Sequence, residues 1–303
     1  MKKPLVVSLI TMIILTFFSI QRAKAEDFED VVLDINYNHT KYAPPKLRDK
    51  DIVRSFAAFV VCFDGDDDDD GDGVPDKWAI PHWVAYEIKS GEPKQTKPFD
   101  KPDELITDEE LFEKGLAPED ESYDIPVKWK AENPTSPQLG HVRGLLCTEE
   151  HAVRLGGKAY WNIHTVLNAC PQKLRLNTGI WKDLDHRTIE WADEFGSVWV
   201  MTGPIIFNNK PTVWMGQNGE VSVAVPDAFF KILVKEVGGR PDVLAFIYPQ
   251  EGIAYKRTGG YDHSPYLTSV DIIEALTGLD FFPKLAEDME TEIERTISIR
   301  IWE

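Results

Sequence analysis

Residues 64–76 (DGDDDDDGDGVPD) carry eight aspartates in thirteen positions, and no other stretch restricts the fold so tightly. So many like charges cannot be buried and repel one another along any regular element, so the segment has to be a solvent-facing turn. Apolar runs flank it: residues 55–63 (SFAAFVVCF) and residues 82–88 (HWVAYEI). Both read as β-strands, and the second sets Trp83, Ala85 and Glu87 on one face and Val84, Tyr86 and Ile88 on the other. The expectation is a β-hairpin whose turn has been expanded.

Counting Asp68 as the first position of the turn, Asp70 is third, Asp72 fifth, Gly73 sixth and Asp76 ninth. Hard oxygens at alternate residues converge on one ion and the glycine permits a sharp bend, so Asp68, Asp70, Asp72 and Asp76 are candidate ligands of a structural calcium ion (Ca2+). The twelfth position is Ala79 rather than a bidentate glutamate, so the loop is not a complete EF-hand. It resembles the aspartate-rich calcium loops of thrombospondin type 3 repeats.

With 43% hydrophobic residues over 303 positions the chain can build a substantial core, which excludes a disordered polymer. Acids outnumber bases by 51 to 33, for a net charge of -18, so composition favours neither a nucleic-acid nor an anionic-membrane partner. Residues 1–25 read as an export signal: Lys2 and Lys3, then an apolar stretch, then Ala23-Lys24-Ala25 as a small-residue cleavage site. A secreted or periplasmic product beginning near Glu26 is expected. Cys62, Cys147 and Cys170 allow at most one internal disulfide, with three pairings open, and show no zinc-type spacing.

Residues 26–54 read as an N-terminal arm and residues 55–303 as one domain. Residues 90–137 form a long surface excursion with a short helix near 108–114. Trp181, Leu184, Thr188, Trp191, Ala192 and Phe195 recur at helical spacing before Gly196, which predicts an amphipathic helix over 179–195. Strands follow at 197–201, ended by Thr202-Gly203-Pro204, and at 243–248, with a helix at 269–277 ended by Gly278. Without a regular βαβ rhythm the class is α+β.

One constellation carries chemistry. His141 follows Gly140 on an extended segment, and Asn177 opens the predicted helix. A histidine offers a base, and an asparagine oxygen is a neutral ligand that leaves a metal most of its waters, as suits magnesium beside a phosphate. Around them stand Asn168-Ala169-Cys170-Pro171-Gln172, residues 176–185 (LNTGIWKDLD), residues 198–204 (VWVMTGP), Val225-Pro226-Asp227 and residues 277–282 (TGLDFF). In order and number these pieces, with Trp83-Val84-Ala85-Tyr86, resemble the DNA/RNA non-specific endonucleases of the ββα-metal (His-Me finger) fold.

The resemblance implies a central, mostly antiparallel sheet flanked by helices, and hydrolysis of DNA and RNA to 5′-phosphate ends with one magnesium ion (Mg2+). It makes His141 the general base and Asn177 the protein ligand of the metal. Asn168 and Gln172 shape the site, and Asp185 stands where the family usually has glutamate, beside the metal's water shell. The family motif Asp-Arg-Gly-His reads Gln138-Leu139-Gly140-His141 here, so a phosphate-contacting arginine is missing. By the period of two, Arg143 shares a face with His141 and is the candidate replacement. Lys130, Arg154, Lys158, Lys173, Arg175 and Lys182 complete a basic stretch around the motif. Two other readings stay open on Leu139: a catalytically impaired, calcium-dependent binding protein, and a phosphodiesterase for small esters.

Overall fold

The computed structural model describes residues 37–302 except 45–48, 69–70, 72, 74–75, 92–98, 217–218, 253 and 258. The export segment at 1–25 and two of the four expected calcium ligands, Asp70 and Asp72, lie outside the described residues. Within them no helix is long and apolar enough to cross a membrane.

The frame is a seven-stranded antiparallel sheet. Its strands are β1 (Ile52–Ser55), β2 (Val60–Phe63), β3 (Pro81–Lys89), β6 (Ser197–Ile205), β9 (Ala228–Val237), β10 (Arg240–Pro249) and β11 (Leu267–Thr268), and they lie side by side in that order. Two small pairs stand apart: β4 (His141–Leu145) with β5 (Ala169–Lys173), and β7 (Trp214–Met215) with β8 (Val223–Ala224). The helices are α1 (Glu109–Glu113), α2 (Val127–Glu132), α3 (Glu149–Leu155), α4 (Gly157–Asn162), α5 (Lys182–Phe195), α6 (Val270–Thr277) and α7 (Glu287–Arg295). The α+β class is as expected.

Both sheet faces are covered. On β3, Val84, Tyr86 and Ile88 enter one core with Trp181, Leu184 and Trp191 of the α5 layer, while Trp83 and Ala85 enter the other with Phe230, Ile273 and Phe281. The alternation expected for this strand holds, and β2 pairs with β3 as the hairpin around the aspartate run.

Three boundaries differ from expectation. Residues 55–63 are not one strand: Phe56 N donates to Phe59 O at 2.8 Å, and the two rings stack 4.5 Å apart, turning the chain from β1 into β2. Strand β1 is thus Ile52–Ser55, three of whose residues, 52–54, were read as part of the arm. Strand β6 runs through Thr202-Gly203-Pro204 to Ile205. A Cβ on Gly203 would lie 2.3 Å from His82 O, so glycine permits the close approach. The ladder with β3 ends at Thr202, so the missing N–H of Pro204 faces no strand on that side. Finally, the regular helix α5 begins at Lys182, because Gly179 leaves helical angles (φ -104, ψ -120) in the preceding turn Asn177–Trp181. Gly196, at φ 91, ends the helix.

Candidate active site

Strands β4 and β5 form an antiparallel ribbon in which His141 stands opposite Lys173 and Val142 opposite Gln172. Gly140 enters it at φ 80, and its carbonyl accepts from Leu174 N at 2.9 Å. That bond holds the start of β4 against the turn leaving β5, which leads within three residues to Asn177. Two strands and the helix behind them thus bring His141 and Asn177 to one end of the ribbon. The ribbon is fixed by Gln250 at the end of β10, whose Oε1 accepts from Lys173 N at 2.8 Å and whose Nε2 donates to Pro171 O and Pro226 O at 2.9 and 3.0 Å.

The His141 ring is set for one role. Its Nδ1 lies 2.8 Å from Gln138 O, and a carbonyl only accepts, so Nδ1 carries the proton and Nε2 keeps its lone pair. Burial pushes the imidazole below its ordinary pKa and Lys173 adds to this, while the Gln138 bond and Glu251 act the other way. The histidine is therefore neutral at pH 7, with a basic nitrogen directed away from its anchor.

Asn177 Nδ2 donates to Gln172 Oε1 at 2.8 Å, which orients the amide and leaves Oδ1 as its donor toward a cation. A half-buried neutral oxygen fits magnesium, which keeps most of its waters. Gln172 is fully buried, and a Cβ on Gly144 would lie 2.5 Å from its Oε1, so glycine on β4 makes room for this side chain. Asn168, also fully buried, accepts from Cys147 N at 2.8 Å and donates to Cys147 O and Ile163 O at 3.1 and 2.9 Å. Its amide clamps the far end of the ribbon.

Asp185 lies two turns along from Asn177, and its Oδ1 accepts from the ammonium of Lys231. Lys231 is wholly buried on β9 with its nitrogen 3.9 Å from the centre of the Trp181 ring. Burial pushes the Asp185 carboxyl up and the Lys231 amine down, each partly offset by the other. The sequence reading overlooked both β9 and this lysine. The available signal was one lysine inside Phe229-Phe230-Lys231-Ile232-Leu233-Val234, a strand-like run in which a buried cation requires an acid. A second polar chain also went unnoticed. Tyr248 OH lies 2.8 Å from His263 Nδ1, and His263 Nε2 lies 2.8 Å from Asp183 Oδ2, which also accepts from Arg187 Nε at 3.2 Å.

Arg143 stands two residues from His141 on β4, and its guanidinium is engaged. It donates to both oxygens of Asp120 at 2.6 Å and lies 3.1 Å from Asp124, above the Tyr123 ring. Arg154 is likewise paired, with Asp193 at 2.6 Å. Lys173 Nζ donates to Leu139 O at 2.8 Å, so an ammonium stands beside the position that carries arginine in the family pattern. Lys130, Lys158, Arg175 and Lys182 are exposed. In the aspartate loop, Asp68 Oδ1 and Oδ2 accept from the backbone N–H groups of Gly71 and Gly73, each at 2.8 Å, folding the loop onto its first residue. Asp64 anchors the base of the loop by accepting from Trp78 N and Ala79 N. All three cysteines are buried free thiols.

Residues 45–288 match the family model described as DNA/RNA non-specific endonuclease. Among curated proteins the chain is similar to human mitochondrial nuclease EXOG, with 28% identity over 188 residues, covering 58% of this chain and 48% of that protein. It is 28% identical to human mitochondrial endonuclease G over 142 residues, 44% of this chain and 45% of that protein. Against the nuclease of Serratia marcescens it is 27% identical over 146 residues, 46% of this chain and 51% of that protein. The chain thus spans about half the length of these relatives. The crystal structure of the EndoG/EndoGI complex shares the fold, with a TM-score of 0.53 at 19% identity, covering 78% of this chain and 88% of that one.

Proposed function

We propose that this chain, which belongs to the DNA/RNA non-specific endonuclease family, hydrolyses phosphodiester bonds of DNA and RNA with little sequence preference and leaves 5′-phosphate ends. The observation that carries this reading is the His141 imidazole, held neutral with Nδ1–H committed to Gln138 O and Nε2 open, on the same ribbon end as Asn177.

His141 Nε2 takes a proton from the attacking water as its oxygen bonds to phosphorus, and the bond from phosphorus to the 3′ oxygen breaks. Asn177 Oδ1 would hold magnesium, which when bound would supply charge stabilisation at the phosphate. Gln172 holds the Asn177 amide at its angle, and Asn168 keeps the ribbon closed. Lys231 retains Asp185 Oδ1, and the other carboxylate oxygen would serve the metal's water shell. Lys173, beside Leu139 O, provides the positive charge that the family draws from arginine, and Arg143 positions β4 through Asp120. Asp68, Asp70, Asp72 and Asp76 would hold calcium as a structural ion between the two strands of the hairpin. Export follows from the basic, apolar and small-residue order of residues 1–25.

Supercoiled-plasmid cleavage by the chain from Glu26, in magnesium, in calcium alone and in chelator, tests the reading with His141→Ala beside it. Expected is magnesium-dependent nicking that falls about 10²- to 10⁴-fold in the variant, the range of general-base catalysis. A folded wild type that leaves plasmid and RNA intact overturns it. Cleavage of a dinucleotide ester without plasmid cleavage would instead favour a small-ester phosphodiesterase, and the engagement of Arg143 by two acids is the observation on that side.

A further inference from the structure

Beyond β10 the chain forms a small ribbon that none of the chemistry above uses. Asp262 N donates to Ala254 O and Lys256 N to Gly260 O, both at 3.0 Å, so residues 254–257 lie back against residues 259–262, with Lys256 and Arg257 exposed. On its stem the rings of Tyr255 and Tyr261 stack at 5.2 Å between centroids and 28° between planes. Tyr261 is the inner ring: it packs on the main core, and its hydroxyl lies 3.0 Å from where a Gly179 Cβ would be. Tyr255 is the outer ring and is 63% exposed.

The ribbon is tied to the site at both ends. Gln250 bonds Lys173, which stands opposite His141, and His263 bonds Asp183 on the helix that follows Asn177. Gly179, under Tyr261, is two residues from Asn177. An exposed tyrosine costs apolar surface in water, and here a second ring stacks behind it. Exposed Lys256 and Arg257 at the tip and Arg175, which acts on Tyr261, put cations beside the rings, among the acids Glu251, Asp183 and Asp262. A flat aromatic face with cations beside it matches an unpaired nucleobase and its flanking phosphates.

We infer that Tyr255 is a stacking platform for an unpaired base next to the scissile phosphate, backed by Tyr261, so that single-stranded substrate is bound in preference to intact duplex. The inference rests on the nuclease reading. Any base has a π-face, so the contact adds affinity without sequence preference.

The test compares hydrolysis of oligothymidylate with that of an abasic oligodeoxyribose phosphate of equal length, by wild type, Tyr255→Ala and Tyr255→Trp. Expected for Tyr255→Ala is a KM for oligothymidylate raised about 5- to 100-fold at nearly constant kcat, the range of losing one base stack, with no further loss on the abasic oligomer. Tyr255→Trp retains the wild-type KM. Unchanged KM in Tyr255→Ala, or equal losses on both oligomers, overturns the platform. If wild type cleaves neither oligomer, the nuclease reading fails, and anisotropy binding of the same pair still decides the stacking: tighter binding of oligothymidylate that Tyr255→Ala abolishes supports it, and equal binding overturns it.

Discussion

The Lys231 ammonium donates to Asp185 across the gap between β9 and α5, inside the face of the sheet that also buries Phe229 and Leu233. Taking two charges out of water costs more than their attraction returns unless both are well bonded, so removing one partner is worse than removing both. Lys231→Met is expected to lose about 3–5 kcal/mol of stability by leaving a buried carboxylate alone. The double variant Lys231→Met/Asp185→Leu should recover most of that. Denaturant unfolding of the three proteins measures it, and strictly additive losses would show that the two side chains do not act as a pair.

A base must be unprotonated to work, and burial holds the His141 imidazole below the ordinary histidine value of 6.5. The acid limb of kcat/KM should therefore fall below pH 6.5. Because Glu251 raises and Lys173 lowers this value, Glu251→Gln should shift the limb further down and Lys173→Met should shift it up. The same depression makes the folded state favour the neutral ring, so this contribution to stability is complete above pH 6.5 and is lost as pH falls through the folded value. A limb at or above 6.5 in wild type would contradict the depression of the His141 imidazole by burial.

Gly144→Ala sets a methyl carbon 2.5 Å from Gln172 Oε1 and 2.7 Å from its Cβ, and Gln172 has to give way. The bond to Asn177 Nδ2 is then released. Loss of such an orienting partner typically weakens metal binding about 10- to 100-fold. The magnesium concentration for half-maximal activity should rise by that factor, with much of the activity restored at high magnesium. A magnesium titration that superimposes on wild type would detach Gln172 from the metal.

Calcium bound by the folded loop and not by the unfolded chain stabilises by mass action, about 2.7 kcal/mol at a hundredfold excess over Kd. Melting in calcium should exceed melting in chelator, and Asp68→Ala should abolish the difference by removing both the ligand and the bonds to Gly71 and Gly73. Identical wild-type melting temperatures in the two buffers would leave the loop a purely solvated turn.

What the sequence determined by itself was local. Eight aspartates in thirteen positions demand a turn, Trp83 to Ile88 alternate because a pleated strand has period two, and Trp181 to Trp191 recur because a helix turns every 3.6 residues. His141 and Asn177 were readable as a candidate base and a candidate metal ligand from their residue types, whereas Gln172 was singled out only by the resemblance to the family. Tertiary structure decided which partners those groups take, since hydrogen bonds and ion pairs form between residues far apart in the chain. It gave Arg143 to Asp120, Asp185 to Lys231 and Asp183 to His263, 23, 46 and 80 positions away. It carried β6 through Gly203 and Pro204, because the close carbonyl of His82 and the end of the β3 ladder make both residues fit. Periodicity records only which face of an element is apolar, whereas the partner of a buried charge is set by how elements pack, and packing is a property of the whole chain.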